Sequence, residues 1–164
     1  MIPKIEKILY ATDFSETSHI TIEWAMALVQ KHDAKLLVLN VVDDVAVLAP
    51  AIQMYFTDKE WENLKNRNET EAIDMTKERL RSFCSDVHAN IPECPYVGDE
   101  ILVRRGTPVE EIVAAAKEHQ CDVIVMGTTG GGGLTDRIMG STARGVLRRS
   151  PIPVLAIPMT NRQG

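Results

Sequence analysis

Apolar residues along this chain fall into short dense runs, and between the runs they recur every three to four positions. The run Lys7 to Thr12 (KILYAT) is rich in strand formers and predicts a first strand. It ends in DFSETS, where Ser15 can cap a helix continuing to about Lys31. In that helix Ile20, Trp24 and Leu28 recur at spacing four and are expected to form one buried stripe. KLLVLNVV, Lys35 to Val42, is apolar almost throughout, the pattern of a parallel strand covered on both faces. The segment from about Asp58 to Ala89 is charged, yet Ala72, Met75, Leu80, Phe83 and Val87 keep mostly helical spacing and predict a crossover helix.

EILVRRG, Glu100 to Gly106, predicts a third strand, and TPVEEIVAAAKEH after it carries the clearest helix signal in the chain. Thr107 can cap that helix, Pro108 suits its first position, and Glu110 completes a capping box, with Val109, Ile112, Val113 and Ala116 as the core face. DVIVMG, Asp122 to Gly127, predicts a fourth strand. A glycine loop follows, then a short helix from about Ser141 to Arg149, then a fifth strand in IPVLAIP. Pro151, Pro153 and Pro158 place that last strand at an edge, because proline cannot donate to a sheet ladder. Strands alternating with helices imply an α/β fold: a parallel sheet between helical layers, joined by right-handed crossovers.

The chain has 164 residues and 45% hydrophobic content, enough for a single domain spanning 1–164 with its own core. A net charge of −5 with no basic tract argues against nucleic acid as a partner. No stretch approaches the roughly 18 apolar residues of a membrane span, so no membrane partner and a cytoplasmic location are expected. Cys84, Cys94 and Cys121 lack metal-site spacing and are expected to be reduced thiols. His19, His32, His88 and His119 are scattered, on or near helix surfaces.

Candidate chemistry concentrates after the first and fourth strands. In an open parallel sheet, ligands bind at the carboxyl ends of strands where the winding reverses, and TDFS and the glycine loop both follow strands there. Glycines let backbone N–H groups approach an anion, and a helix opening at Ser141 and Thr142 adds its dipole and free amides, so phosphate is the expected guest. The loop is not a Walker A motif, since no lysine follows Lys117. The glycines do not fit a dinucleotide fingerprint after the first strand, and a nucleophile elbow is absent because position 139 is Met. The spacing present is Gly127-x-x-Gly130, nine residues, then Gly140-Ser141.

That spacing resembles the G-2x-G-9x-G-(S/T) pattern of the ATP-binding universal stress proteins, and KILYATDFSETS, LLVLNVV, GTPVEEIVAAAKEHQCDVIVMGTTG and GSTARGVLRRSPIPVLAIP extend the likeness over nearly the whole chain. The resemblance implies a three-layer α/β/α sandwich, Rossmann-like, with a five-stranded parallel sheet in the order 3-2-1-4-5. It implies an adenine nucleotide, ATP or else ADP or AMP, accompanied by magnesium or manganese. Carried over by position, Ala11, Thr12 and Asp13 would lie beside the nucleoside, with Asp13 near the ribose or the metal, and Val41 would meet adenine through its backbone. Met126 would line the pocket floor, while Gly127, Thr129, Gly130, Gly140, Ser141 and Thr142 would surround the phosphates. Arg137 and Arg144 are candidates for added charge compensation. The family also implies a homodimer through the terminal strand, Ile152 to Ile157.

Each of these residues has a plainer reading. Asp13 can be the start of a helix, Ser141 and Thr142 caps, Gly131 to Gly133 slack, and Val41 and Met126 ordinary core. The apolar segment Val45 to Phe56 reads as a packed cover or partner surface. No catalytic base, P-loop lysine or acid–base pair is evident, so the leading function is a nucleotide-dependent regulatory or stress-response switch with an unknown signalling partner. The alternatives are a slow ATP hydrolase or nucleotidyl transferase, and a nucleotide-free dimeric interaction protein.

Overall fold

The computed structural model describes residues 1–13, 18–42, 100–129 and 139–158, with isolated positions between 57 and 89. Its elements run β1 (Lys7–Ala11), α1 (Ser18–His32), β2 (Lys35–Val42), β3 (Glu100–Arg105), α2 (Pro108–Glu118), β4 (Val123–Gly127), α3 (Ser141–Arg149) and β5 (Val154–Ile157). The five strands form one sheet, all parallel, in the order β3-β2-β1-β4-β5, which is the order the resemblance implied. The proline-flanked β5 lies at an edge, as its prolines require. Lys59, Asp74, Glu78, Ser82, Ser85, Asp86 and Ala89 are helical and exposed, in line with a crossover helix there. Its expected core positions, Ala72, Met75, Leu80, Phe83 and Val87, lie outside the described residues, as do Ser15, Val45 to Phe56, Cys84, His88 and Cys94.

β1 sits at the centre, paired with β2 on one side and β4 on the other. Its side chains alternate between two separate cores. Ile8 and Tyr10 join Leu36, Val38, Val123 and Val125 under α1, while Leu9 joins Leu37, Leu39, Ile124 and Met126 under α2 and α3. Ile8, Leu9 and Tyr10 are wholly buried. Each such side chain contributes roughly 1.5–3 kcal/mol over an exposed one. This double coverage explains why KILYA and KLLVLNVV are apolar at odd and even positions alike.

The helices correct three details of the sequence reading. The buried face of α1 is Ser18, Thr21, Ile22, Ala25, Met26 and Val29, whereas Trp24 is 45% exposed and Ile20 and Leu28 are only flanking contacts. A strict spacing of four drifts by about 40° per step around a helix of 3.6 residues per turn, so such a row leaves the core; alternating steps of three and one stay on it. In α2, Ala115 is buried with Ile112 and Ala116, while Val109 and Val113 pack at the margin. The capping box does not form: Thr107 is the N-cap without a side-chain hydrogen bond, and Glu110 lies 3.6 Å from Arg149 instead.

Two helix ends close with a residue in the left-handed region. Asp33 (φ 52) lets Ala34 N–H reach back to the Val29 carbonyl at 3.1 Å, and Gln120 (φ 56) lets Cys121 N–H reach Ala116 at 2.8 Å. Gly106 (φ 143) turns β3 into α2 with a backbone that side chains rarely adopt. At the amino ends of the strands, Asp122 Oδ2 accepts the Glu6 and Lys7 N–H groups at 2.8 and 2.9 Å. Beside it Lys7 Nζ pairs with Glu100 at 3.0 Å, and His119 Nδ1 stands 3.6 Å from the same carboxylate. The hydrogen bond from Lys7 holds the Glu100 carboxyl below its ordinary value of 4.5, so this link contributes stability above about that pH and is lost as pH falls.

Cys121 is buried and free, and burial pushes its thiol up to about 11. A thiol that stays neutral in the fold while the unfolded chain ionises near 9.0 contributes stability below that value and loses it as pH rises toward about 11. Iodoacetamide at pH 8 is therefore expected to label Cys121 in urea and to leave it unmodified in the native protein; peptide mass mapping reads the difference. The α2–α3 contact gives a second expectation, because a Cβ on Gly145 would stand 2.5 Å from Val109 Cγ2. Gly145→Ala should lose about 1–2 kcal/mol by urea denaturation, despite a helix-propensity gain of about 1 kcal/mol. The Gly145→Ala, Val109→Ala double variant should lose less than the sum of the singles.

Candidate functional site

The order β3-β2-β1-β4-β5 reverses its direction of winding between β1 and β4. Ala11 is paired with Leu39 on one side and Met126 on the other, so the chain leaves β1 and β4 side by side at the carboxyl edge of the sheet. Thr12 and Asp13 emerge from β1, Thr128 and Thr129 emerge from β4, and Val41 extends β2 beyond them, next to Arg104 of β3. This edge is where ligands of open parallel sheets bind.

A buried hydrogen-bond network fixes the exit of β1. Thr12 N–H donates to the Leu39 carbonyl at 2.9 Å, and the Thr12 carbonyl accepts from Asn40 Nδ2 at 2.8 Å. The Thr12 hydroxyl bonds the Ser18 hydroxyl at 3.1 Å, and Tyr10 O–H donates to the Ser18 carbonyl at 3.0 Å. Thr12 and Asn40 are both 8% exposed, while Asp13, one residue on, is exposed at the mouth. Thr12 is thus held from β2 and α1 at once, and Asp13 after it is exposed. Asn40 and Ser18 escaped the sequence reading, although a lone Asn inside the apolar KLLVLNVV is the signal that could have found the first.

The exit of β4 is stitched in the same way. Thr128 N–H donates to the Ile157 carbonyl of β5 at 3.0 Å, and Gly140 N–H donates to the Thr128 carbonyl at 2.7 Å. The second bond pins the start of α3 against the end of β4. Gly140 is the N-cap, with φ −60 and ψ 157; it has no side chain to cap the helix, and no acid stands in the first turn. Arg144 N–H closes the first helical bond, to the Gly140 carbonyl, so the amides of Ser141, Thr142 and Ala143 precede any intrahelical acceptor. A helix start with a glycine N-cap and no acid in its first turn is receptive to an anion.

Of the residues singled out from sequence, Ala11, Thr12, Asp13, Val41, Met126, Gly127, Thr129, Gly140, Ser141 and Thr142 all lie on strand ends, turns or the helix start at this one edge. Met126 is 5% exposed, inside the core beneath α2 and α3, and Gly127 is half-buried as the last residue of β4. Gly130, Gly131 to Gly133 and Arg137 lie outside the described residues. Arg144 is exposed one turn into α3. Among the described residues no group of three His, Cys, Asp or Glu side chains could hold a metal ion. No described helix is long and apolar enough to cross a membrane. Arg104, beside Val41, is held on α2 by both carboxylate oxygens of Glu118 and by Glu111 at 3.6 Å.

A protein-family comparison matches residues 4–158 to the universal stress protein family, and the chain belongs to that family. Universal stress protein MJ0577 of Methanocaldococcus jannaschii is 28% identical over 164 residues, covering 95% of this chain and 96% of that protein. The solved structure of MJ0577 superposes with a TM-score of 0.75 at 25% identity, covering 94% of this chain and 96% of that one. Two more distant members share the fold. One, solved with cAMP, has a TM-score of 0.58 at 19% identity and covers 96% of this chain and all (100%) of that one. The other, from Archaeoglobus fulgidus and solved with dAMP, has a TM-score of 0.53 at 20% identity, with coverages of 96% and 99%.

The β1 exit yields a direct test. Asn40→Ala removes the donor to a buried carbonyl and should lower stability by about 1–3 kcal/mol in urea denaturation. Asn40→Asp, which sets a carboxylate against the Thr12 carbonyl, should lose more than Asn40→Ala.

Proposed function

We propose that this universal stress protein binds an adenine nucleotide, ATP foremost, in the crevice between the β1 and β4 exits, and that occupancy sets the affinity of its surface for a signalling partner. The observation that carries this reading is the start of α3: a helix whose N-cap is glycine and whose first turn is free of acids, pinned by Gly140 N–H to the Thr128 carbonyl at the switch point of the sheet. The amides of Ser141, Thr142 and Ala143 would hold phosphate oxygens, joined by Gly127, Thr129 and Gly130 from the preceding turn. Gly140 would act through position, since its own N–H already serves Thr128. Asp13, exposed beside the buried Thr12, would take the ribose hydroxyls, and the backbone of Val41 the adenine edge. A divalent cation at Asp13 would complete its coordination with phosphate oxygens and water, because the described side chains supply no cluster of their own. The cAMP and dAMP complexes of distant members support the reading in one respect only: the fold has room for an adenine nucleotide.

Among the described residues at this edge no side chain is set to act as a base on an attacking water; with the nucleotide held as a ligand, turnover below the order of 1 per second is expected. Small molecules released by denaturing freshly purified protein should include ATP, ADP or AMP by mass spectrometry. Gly140→Leu, which sets a side chain in the path of the phosphates, should weaken ATP binding at least tenfold in calorimetry while leaving the helical circular dichroism intact. Purified protein that releases no nucleotide and takes up none from millimolar ATP would defeat the reading.

A further inference from the structure

α2 and α3 touch closely at Val109 and Gly145 but leave an open groove of about 400 Å3, lined by Thr107, Val109, Ser141, Gly145, Arg148 and Arg149. Its lining includes the first residue of α3 and both residues of the last turn, so it follows that helix for about 10 Å. Val109 and the bare backbone of Gly145 supply an apolar floor, Thr107 and Ser141 supply hydroxyls, and two guanidinium groups supply charge.

The charge is under-compensated. Arg149 stands 3.6 Å from Glu110, but the two side chains are 63% and 67% exposed, and a pair so hydrated holds weakly. Among the described residues Arg148 meets no carboxylate, and neither does Arg144 one turn before it. All three arginines are exposed, on a chain whose net charge is −5. This helix edge is therefore cationic on an otherwise acidic protein, and it borders a groove with an apolar floor. A compact anion would satisfy Arg148 and Arg149 and leave that floor in water. A chain carrying both carboxylates and an aliphatic side chain matches the whole lining.

We propose that the α2–α3 groove is a docking surface for an acidic peptide segment of a partner protein, with an aliphatic side chain over Val109 and Gly145 and carboxylates on Arg148 and Arg149. Glu110 acts as a built-in competitor, since it already occupies part of the charge on Arg149. The groove meets the proposed phosphate site at Ser141, but the contacts to Arg148, Arg149, Val109 and Gly145 require no bound nucleotide.

The test is fluorescence polarisation of the full-length protein with a labelled peptide in which one leucine is flanked on each side by two glutamates. Saturable binding that weakens as salt rises is expected. Arg148→Glu should weaken it roughly tenfold with an unchanged melting temperature. Glu110→Gln should tighten it about twofold, because it frees Arg149. The lysine counterpart of the peptide should not bind, and replacing the leucine by serine should cost several-fold. Equal affinity for wild type and Arg148→Glu overturns the proposal. So does equal binding of the serine peptide, since that marks a simple anion site.

Discussion

Neighbouring parallel strands that lead their chains to opposite sides of a sheet must leave a crevice at their carboxyl ends, and β1 and β4 are such a pair. The pairing of Ala11 with Met126 sets the spacing between the two exits, and everything at that edge is arranged around it. Both exits are then stiffened by bonds from neighbouring elements of the fold. Asn40 and Ser18 hold the turn after β1, and β5 and Gly140 hold the turn after β4. Among the described residues, the exits are tied to the sheet, and the crevice is bordered by the Asp13 carboxylate on one side and the start of α3 on the other.

The electrostatics follow from what α3 lacks. A helix start normally recruits Ser, Thr, Asp or Asn as a cap or an acid in the first turn, and Gly140-Ser141-Thr142 supplies neither bond nor charge. The N-cap N–H is bonded to the Thr128 carbonyl at 2.7 Å, which fixes the helix start against β4. With neither an N-cap side chain nor a first-turn acid of its own, the positive end of the helix is left to other partners. The same helix ends in Arg148 and Arg149, which complement the negative end of its dipole and present their charge to the α2–α3 groove. One short helix thus carries cationic character at both ends, by different means.

Much of this was legible in the sequence, and the exceptions have physical reasons. Strand positions could be read because double-sided burial leaves dense apolar runs, and Lys35 to Val42 was recovered to the residue. The strand order and the family came through motifs rather than periodicity: GTTG followed by GS fixed the glycine frame, where composition offered only an α/β class. The α1 face was misjudged because Ser18, Thr21 and Ala25 are buried for being small enough to lie close to the sheet, a property hydropathy does not register. Thr107 and Glu110 form a capping-box pattern in sequence, but the nearby Arg149 draws Glu110 away, and that contact depends on how α2 meets α3. Asn40 stands out as the one polar residue between apolar neighbours, but its partner cannot be read from the sequence, and Ser18 is hidden by its place in a helix. Both act across elements, which one-dimensional spacing cannot convey.

The clamp of Asp122 on the amides of Glu6 and Lys7 has a consequence for how the molecule is made. It joins positions 115 residues apart, and the pairing of β1 with β4 begins beside it. The middle strand of the sheet therefore stays open along one whole side until nearly three-quarters of the chain has left the ribosome. Its most apolar segment waits longest for its last neighbour, and loop-closure entropy makes that step slow. For a growing chain, the hazard lies in the centre of the finished protein rather than at its rim.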